Sequence, residues 1–177
     1  YLRQSMPALR GMPRWARRLL DSPGLLRRAA AKAGSTSARG LGEMTIAMLR
    51  GEDDIHACGI SEMTAWLKKS LKPDVIHLSS ALLLGLARPL HRQLGAPVVC
   101  SLQDEDTWID SMEPGEADAV WALLRDKAPD VHLFVPVSCY YAGVMQKRMG
   151  IPADHMEVVR PGVDTTVHNQ APLYFKP

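Results

Sequence analysis

The stretch DVIHLSSALLLGLARPLHRQLGAPVVCSL, residues 74–102, decides the fold class of this 177-residue chain. It opens with DVIHLS, a short run with β-branched residues that is typical of a buried strand. The segment ALLLGLARPLHRQLG is expected to be a helix that stops at Gly95, and PVVCSL is expected to be a second strand. A strand, a helix and a strand in this order predict a βαβ crossover, and therefore two parallel strands.

The same alternation continues towards the C-terminus. Two more helices are expected, in PGEADAVWALLRDKA and in YYAGVMQKRMG. The second of these is expected to be capped by Ser138 and to end at Gly150. We expect a third strand at residues 131–138, VHLFVPVS, and a fourth strand at residues 156–164, MEVVRPGVD. Repeated βαβ units predict an α/β fold, a Rossmann-like three-layer sandwich in which helices cover both faces of a parallel sheet.

The part of the chain before this core is expected to be helical. Residues 13–33 are interpreted as two short helices, LGEMTIAMLRG as a helix stopped by Gly51, and SEMTAWLKKSLK as a helix capped by Ser61. We therefore divide the chain into a helical basic segment, residues 1–72, that packs on an α/β core, residues 73–168.

The charge of the chain is unevenly distributed. Residues 1–40 hold nine Lys and Arg against one acidic residue, whereas residues 41–177 hold twelve against eighteen. We call residues 1–40 the basic arm. Its cationic side chains either only keep its own helices hydrated or contact phosphates or anionic lipid headgroups, and the last of these would give a peripheral membrane contact. Nucleic acid is a poorer partner, because only 6% of the residues are aromatic and the rest of the chain is acidic.

Several classes of protein are disfavoured by missing motifs. The chain has no G-x-G-x-x-G, no G-x-x-x-x-G-K-[ST] and no G-x-S-x-G, which argues against a dinucleotide-binding turn, a P-loop and a nucleophile elbow. Cys58, Cys100 and Cys139 form no C-x-x-C pair, so a reduced, cytoplasmic setting is favoured over a disulfide scaffold. No apolar run is long enough to span a bilayer.

Ligands in open α/β sheets bind outside the carboxyl ends of the strands. The candidate substrate-binding residues at these ends are Ser79, Ser80, Gln103, Asp104, Asp106, Ser138, Arg160, Gly162 and Asp164. The acidic run 103–106 has three interpretations: a solvated loop beside a helix N-terminus, a polar site for a hydroxylated ligand, or a metal site. We expect no metal site, because consecutive carboxylates point in different directions and no His is near in sequence.

Other polar and aromatic residues are expected to have structural roles. His77, between Ile76 and Leu78, is interpreted as a core or interface histidine. Tyr140 and Tyr141 begin a helix, where packing is the default role. The histidines show no spacing that suggests joint metal ligation.

Two longer segments resemble a known family. They are similar to the middle and the end of the N-terminal domain of family-4-type glycosyltransferases. The first segment is PDVIHLSSALLLGLARPLHRQLGAPVVCSLQDED, and the second is FVPVSCYYAGVMQKRMGIPADHMEVVRPGVD. Val137-Ser138, Gly150-Ile151-Pro152 and Gly162-Val163-Asp164 match the family's pattern. The similarity covers about residues 73–168, and the ordered combination is more specific than any single piece.

The resemblance implies the N-terminal half of a GT-B fold, with extra N-terminal helices here. It implies transfer of a sugar from a nucleotide-sugar donor to a hydroxylated acceptor, with retention and without a metal or another cofactor. In that family the N-terminal domain mainly holds the acceptor and the C-terminal domain holds most of the donor. Residues 169–177 would begin the linker to that second domain, and the chain as given would be an inactive fragment.

Two positions depart from the family's pattern. Many relatives have a histidine where this chain has Gln103, which can hydrogen-bond a sugar hydroxyl but cannot act as an acid or base. Arg160-Pro161 replaces the usual Pro-Asn, and Arg160 adds a cation suited to a phosphate. We expect Asp104 and Asp106 to accept hydrogen bonds from ligand hydroxyls.

Other functions remain open at this point. A GT-B epimerase or phosphorylase would keep the fold and change the reaction. A non-enzymatic α/β ligand-binding module would use the basic segment as a docking arm. That segment also suggests a lipid-linked acceptor at a membrane surface.

Overall fold

A computed structural model of the protein describes residues 41–53 and 57–163. The two helices predicted within residues 13–33, the candidate site residue Asp164 and the linker predicted at 169–177 lie outside the described residues. The predicted domain boundaries therefore stay predictions.

The described part of the chain holds a three-stranded parallel sheet. Its strands are β1 (Ile76–Leu78), β2 (Val98–Leu102) and β3 (Leu133–Pro136), in the order β1-β2-β3. In the register, Leu78 lies beside Cys100, and Cys100 beside Phe134. The predicted mixed α/β, Rossmann-like fold with a parallel sheet is confirmed.

The predicted fourth strand is only partly formed. Met156 makes an isolated parallel bridge to Phe134, and Val159 N–H donates to the Pro136 carbonyl at 3.2 Å. The segment thus runs beside β3 without becoming a strand of the sheet. The physical reason is at Pro136 of β3, which accepts from Val159 N–H but has no N–H of its own to donate to the Glu157 carbonyl, so the ladder stays incomplete.

The described residues contain six α-helices. They are α1 (Gly42–Arg50), α2 (Ala57–Ser70), α3 (Ala87–Leu94), α4 (Glu105–Asp110), α5 (Pro114–Lys127) and α6 (Cys139–Met149). Short 3-10 turns occupy Gly51–Asp53, Ala81–Leu86, Ala128–Asp130 and Ala153–His155. No helix of the described residues combines the length and the apolarity needed to cross a membrane.

Three details of the helices differ from the prediction. The helix expected to start after Ser61 starts at Ala57, so Ser61 is an interior residue and not a cap. The single helix expected after β1 begins as a 3-10 turn and becomes α-helical at Ala87. The run expected to be an acidic loop contains the short helix α4, whose first residue is Glu105.

The two faces of the sheet are covered unequally. One face carries the hydrophobic core. Its residues include Leu78, Cys100 and Phe134, and each of these side chains is at most 5% exposed. The 3-10 turn and α3 contact β1 and β2 there, and α6 contacts β2 and β3. On the other face Val99 is half-buried and His77 is exposed, with His77 Nε2 2.7 Å from Ser101 Oγ. His77 is therefore not a core histidine, and its interpretation as an interface histidine stays a prediction.

One close backbone contact joins α1 to the turn after β1. A Cβ added to Gly85 would overlap the carbonyl oxygen of Met48 at the end of α1. Gly51, the cap of α1, has a φ of 60° and approaches Gly85 from the other side. The two glycines allow the backbones to touch where any side chain would hold them apart.

Candidate functional site

The carboxyl ends of the three strands bring most of the predicted site residues to one edge, here called the carboxyl edge. Ser79 and Ser80 follow β1, Gln103 follows β2, and Ser138 follows β3 by two residues. Arg160 follows the segment that is hydrogen-bonded to the end of β3, and Gly162 lies two residues further on; both are exposed. Because the strands are parallel, their ends share one side of the sheet.

Two of the three serines at this edge, Ser80 and Ser138, are helix caps. Ser138 Oγ accepts a hydrogen bond from Tyr141 N–H at 3.1 Å and caps α6, as predicted. Ser80 Oγ accepts from Leu82 N–H at 3.3 Å and donates to Glu105 Oε1 at 3.0 Å. Because the Ser80 hydroxyl proton is already used, this residue can offer a ligand only a lone pair.

The centre of this edge is a buried carboxylate that the sequence analysis did not single out. Glu105 is only 2% exposed, and its carboxylate accepts four hydrogen bonds. Besides Ser80, the donors are Ala81 N–H at 3.0 Å, Gln103 N–H at 2.7 Å and the Tyr141 hydroxyl at 2.9 Å. The loops after β1 and β2 and the start of α6 thus meet on a single side chain.

Tyr141 completes this arrangement from α6. Its hydroxyl donates to Glu105 Oε2 and accepts from the backbone N–H groups of Glu105, at 2.7 Å, and Asp106, at 3.4 Å. Burial, together with the nearby carboxylate of Glu105, raises the pKa of Tyr141 well above that of an ordinary phenol. The hydroxyl therefore keeps its proton and remains a donor to Glu105.

Residues 103–106 are called the acceptor loop below, after the role that the family resemblance leads us to expect of them. Asp104 has a φ of 61°, the left-handed conformation that Asp tolerates better than most residues other than glycine. Gln103 and Asp104 are exposed, while Asp106 is half-buried in the first turn of α4. The loop therefore presents an amide and a carboxylate to solvent at the carboxyl edge.

The far end of α4 is also fixed. Asp110 pairs with Arg148 of α6 and accepts a hydrogen bond from Trp121 Nε1 of α5 at 2.9 Å. The Arg148 guanidinium lies over the Trp121 ring, 4.8 Å from its centroid. Six residues are too few for a helix to be stable alone, so contacts at both ends hold α4 in place.

Two kinds of chemistry find no support among the described residues. Burial, and then the charge of Glu105, raises the pKa of the Cys100 thiol, which makes Cys100 a poor nucleophile. Within residues 41–53 and 57–163, no three His, Cys, Asp or Glu side chains are grouped so that they could hold a metal ion.

A signal for Glu105 was present in the sequence. Trp108 and Ile109 lie three and four residues after it, the spacing of one helical face, and Ile109 is fully buried. Residues 103–106 were expected to form one polar loop, whereas the third of them, Glu105, is buried. Likewise, Tyr141 was assigned to packing, whereas its hydroxyl also bonds the Glu105 carboxylate and the first two amides of α4.

Comparison with known proteins gives one result. A search of curated proteins found no match to this chain. The model of Glycosyltransferase Family 4 matches residues 49–167, which include the sheet, the acceptor loop and the extended segment after it. The match spans more than half of the sequence, and the chain belongs to glycosyltransferase family 4.

Proposed function

We propose that this domain holds the acceptor in a reaction that transfers a sugar from a nucleotide-sugar donor. A glycosyltransferase-type function follows from the family match. The observation that supports acceptor binding is the carboxyl edge, where Gln103 and Asp104 are exposed on a loop whose backbone is hydrogen-bonded from below. We further propose that the donor is held mainly by a second domain, that the reaction retains configuration, and that no metal or other cofactor is required.

Gln103 and Asp104 are complementary in what they offer a polyhydroxylated acceptor. The Gln103 amide can donate to one hydroxyl oxygen and accept from another hydroxyl, whereas the Asp104 carboxylate only accepts. Hydrogen bonds to a charged group contribute about 1.5–3 kcal/mol when they are shielded from water. Asp106, half-buried in the first turn of α4, would accept from a hydroxyl that reaches deeper into the loop.

Arg160 supplies positive charge at the same edge. It is exposed and directly follows Val159, which is hydrogen-bonded to the end of β3. A guanidinium binds phosphate oxygens in a bidentate manner. We propose that Arg160 contacts a phosphate of the donor or of a lipid-linked acceptor, close to the hydroxyls bound by the acceptor loop.

The basic arm, residues 1–40, supports a further part of the proposal. Its nine Lys and Arg against one acidic residue suit a surface of anionic lipid headgroups. We propose that the protein works in the cytoplasm at the membrane surface and that its acceptor is lipid-linked.

The test is acceptor kinetics of the full-length protein with a panel of nucleotide sugars and acceptors. Gln103→Ala and Asp104→Asn are the informative variants, and Asn is chosen because it accepts the left-handed backbone that Asp104 has. Loss of the Gln103 amide, or of the negative charge that strengthens the hydrogen bond to Asp104, should raise the acceptor KM about tenfold, with the donor KM nearly unchanged.

Matched controls come from exposed residues away from the carboxyl edge. Gln93→Ala, near the end of α3, and Asp154→Asn, two residues before the bridge of Met156 to Phe134, remove the same chemical groups and should leave both KM values unchanged. Acceptor kinetics that are unaltered in both loop variants would refute the site. A full-length protein that only epimerises or phosphorolyses the sugar would refute the reaction.

A further inference from the structure

The Glu105–Tyr141 network comprises the carboxylate of Glu105, the hydroxyl of Tyr141 and the groups that they bind. Glu105 joins Ser80 Oγ and Ala81 N–H, after β1, to Gln103 N–H, after β2. Tyr141 joins the same carboxylate to the first two amides of α4. The network therefore connects segments 24, 25 and 36 residues apart in sequence.

We propose that Glu105 and Tyr141 are positioning residues for the acceptor, which fix the geometry of the acceptor loop without touching the acceptor themselves. This inference rests on the function proposed above. Both side chains are buried, Glu105 at 2% and Tyr141 at 7% exposure, so neither is presented to a bound sugar. What they control is the backbone from which the Gln103 and Asp104 side chains project.

The bonding pattern shows how this control works. Glu105 folds back onto the N–H of Gln103, two residues earlier, and Asp104 between them is left-handed. An aspartate in this conformation is held there by its surroundings, because an extended or right-handed backbone is intrinsically easier to adopt. The bond from Glu105 closes the turn on one side of Asp104, and the phenol anchors the amides on the other side.

The charge and geometry of the carboxylate are needed for this role. All four of its partners are donors, namely two hydroxyls and two backbone amides. In Glu105→Gln the side-chain amide has one oxygen and one NH₂ group, so the NH₂ must face either Ala81 N–H or Gln103 N–H. Two donors facing each other cannot bond, and one loop is released.

Tyr141→Phe is the milder perturbation. The ring keeps its place on α6, whereas the amides of Glu105 and Asp106 lose their acceptor and Glu105 loses one donor. Tyr140→Phe is a matched control, because Tyr140 precedes it on the same helix and is 81% exposed. Glu157→Gln is the matched control for Glu105→Gln, since Glu157 is exposed.

The first measurement is amide hydrogen exchange by NMR on the full chain. In Tyr141→Phe the amides of Glu105 and Asp106 should exchange about tenfold faster, and in Glu105→Gln those of Gln103 or Ala81 should do so. Amides in β2 should be unaffected, and both control variants should match the wild type. Unaltered exchange at the acceptor loop in both variants would overturn the inference.

The second measurement is steady-state kinetics of the full-length protein. Both variants should raise the acceptor KM about tenfold and leave the donor KM within about twofold, which a general loss of stability would not do. Faster exchange with an unchanged acceptor KM would show that the network only supports the fold, and would overturn the inference.

The two proposals fail in different ways. If the wild-type protein transfers no sugar, or if Gln103→Ala leaves the acceptor KM unchanged, the proposed function is wrong, and the positioning role falls with it whatever the exchange rates show. If the wild type and Gln103→Ala behave as proposed but Tyr141→Phe and Glu105→Gln leave the acceptor KM unchanged, the proposed function stands and only the positioning role is wrong.

Discussion

Replacing Glu105 by alanine should strongly destabilise the protein. The substitution removes the acceptor of four hydrogen bonds at a site that is 2% exposed. The hydroxyls of Ser80 and Tyr141 can rotate towards other partners, but the N–H groups of Ala81 and Gln103 are fixed by the backbone. A buried donor without an acceptor costs about 1–3 kcal/mol, which gives about 2–6 kcal/mol for the two amides.

We expect a loss of about 2–4 kcal/mol, in the lower part of this range because Gln103 lies near solvent. The assay is equilibrium unfolding in urea, followed by circular dichroism, with the slope of free energy against urea checked for constancy. Glu157→Ala removes an exposed carboxylate and should change the free energy of unfolding by less than about 0.5 kcal/mol. A loss below about 1 kcal/mol in Glu105→Ala would show that the buried donors find water instead, and would refute the reasoning.

Two further predictions concern packing and alkaline pH. Gly85→Ala should lower the free energy of unfolding by about 1–3 kcal/mol, because the new methyl group would overlap a backbone carbonyl of α1. Gly143→Ala is the control, because Gly143 lies in the interior of α6 and no atom is near the added Cβ, so this change should raise the free energy of unfolding by about 0.5–1 kcal/mol. If urea unfolding showed the same effect for both variants, the packing argument would be wrong. The pKa of Tyr141 is raised in the folded state, so its contribution to the free energy of unfolding is complete below about pH 10, where the phenol of the unfolded chain is still protonated. Above about pH 10 this contribution falls by about 1.4 kcal/mol per pH unit. Unfolding free energies measured from pH 8 to 11 should therefore fall less steeply in Tyr141→Phe, and identical slopes would show that Tyr141 is not the titrating group.

The strands were predictable because their signal is local. Val98, Cys100 and Leu102 alternate with half-buried residues along β2, and the flanking glycine and proline mark where the strand begins. The alternation of strands and helices then leaves few topologies, which is why the parallel sheet followed from the sequence. The fourth strand is incomplete because its neighbour β3 contains Pro136, which has no N–H to donate, and this requirement falls on a residue about 20 positions away in sequence.

The site was predictable only in outline. The rule that strand ends collect ligand-binding residues placed Gln103 and Ser138 at the same edge as Ser80. It could not show which of the four polar residues in the acceptor loop turns inward, because the distant Tyr141 provides the partner for Glu105. Propensity and spacing describe neighbours in sequence, whereas a contact across 36 residues depends on the packed structure.

The burial of Glu105 also bears on how this protein can change over evolutionary time. The backbone of the acceptor loop is hydrogen-bonded from beneath, by one carboxylate and one phenol, whereas the side chains at 103 and 104 are exposed. Substitutions at these two surface positions are therefore inexpensive for folding, provided that the second keeps a residue tolerant of positive φ. Under the proposed function, new acceptor preferences can arise there while the scaffold stays the same, which makes the pair a natural target for directed diversification.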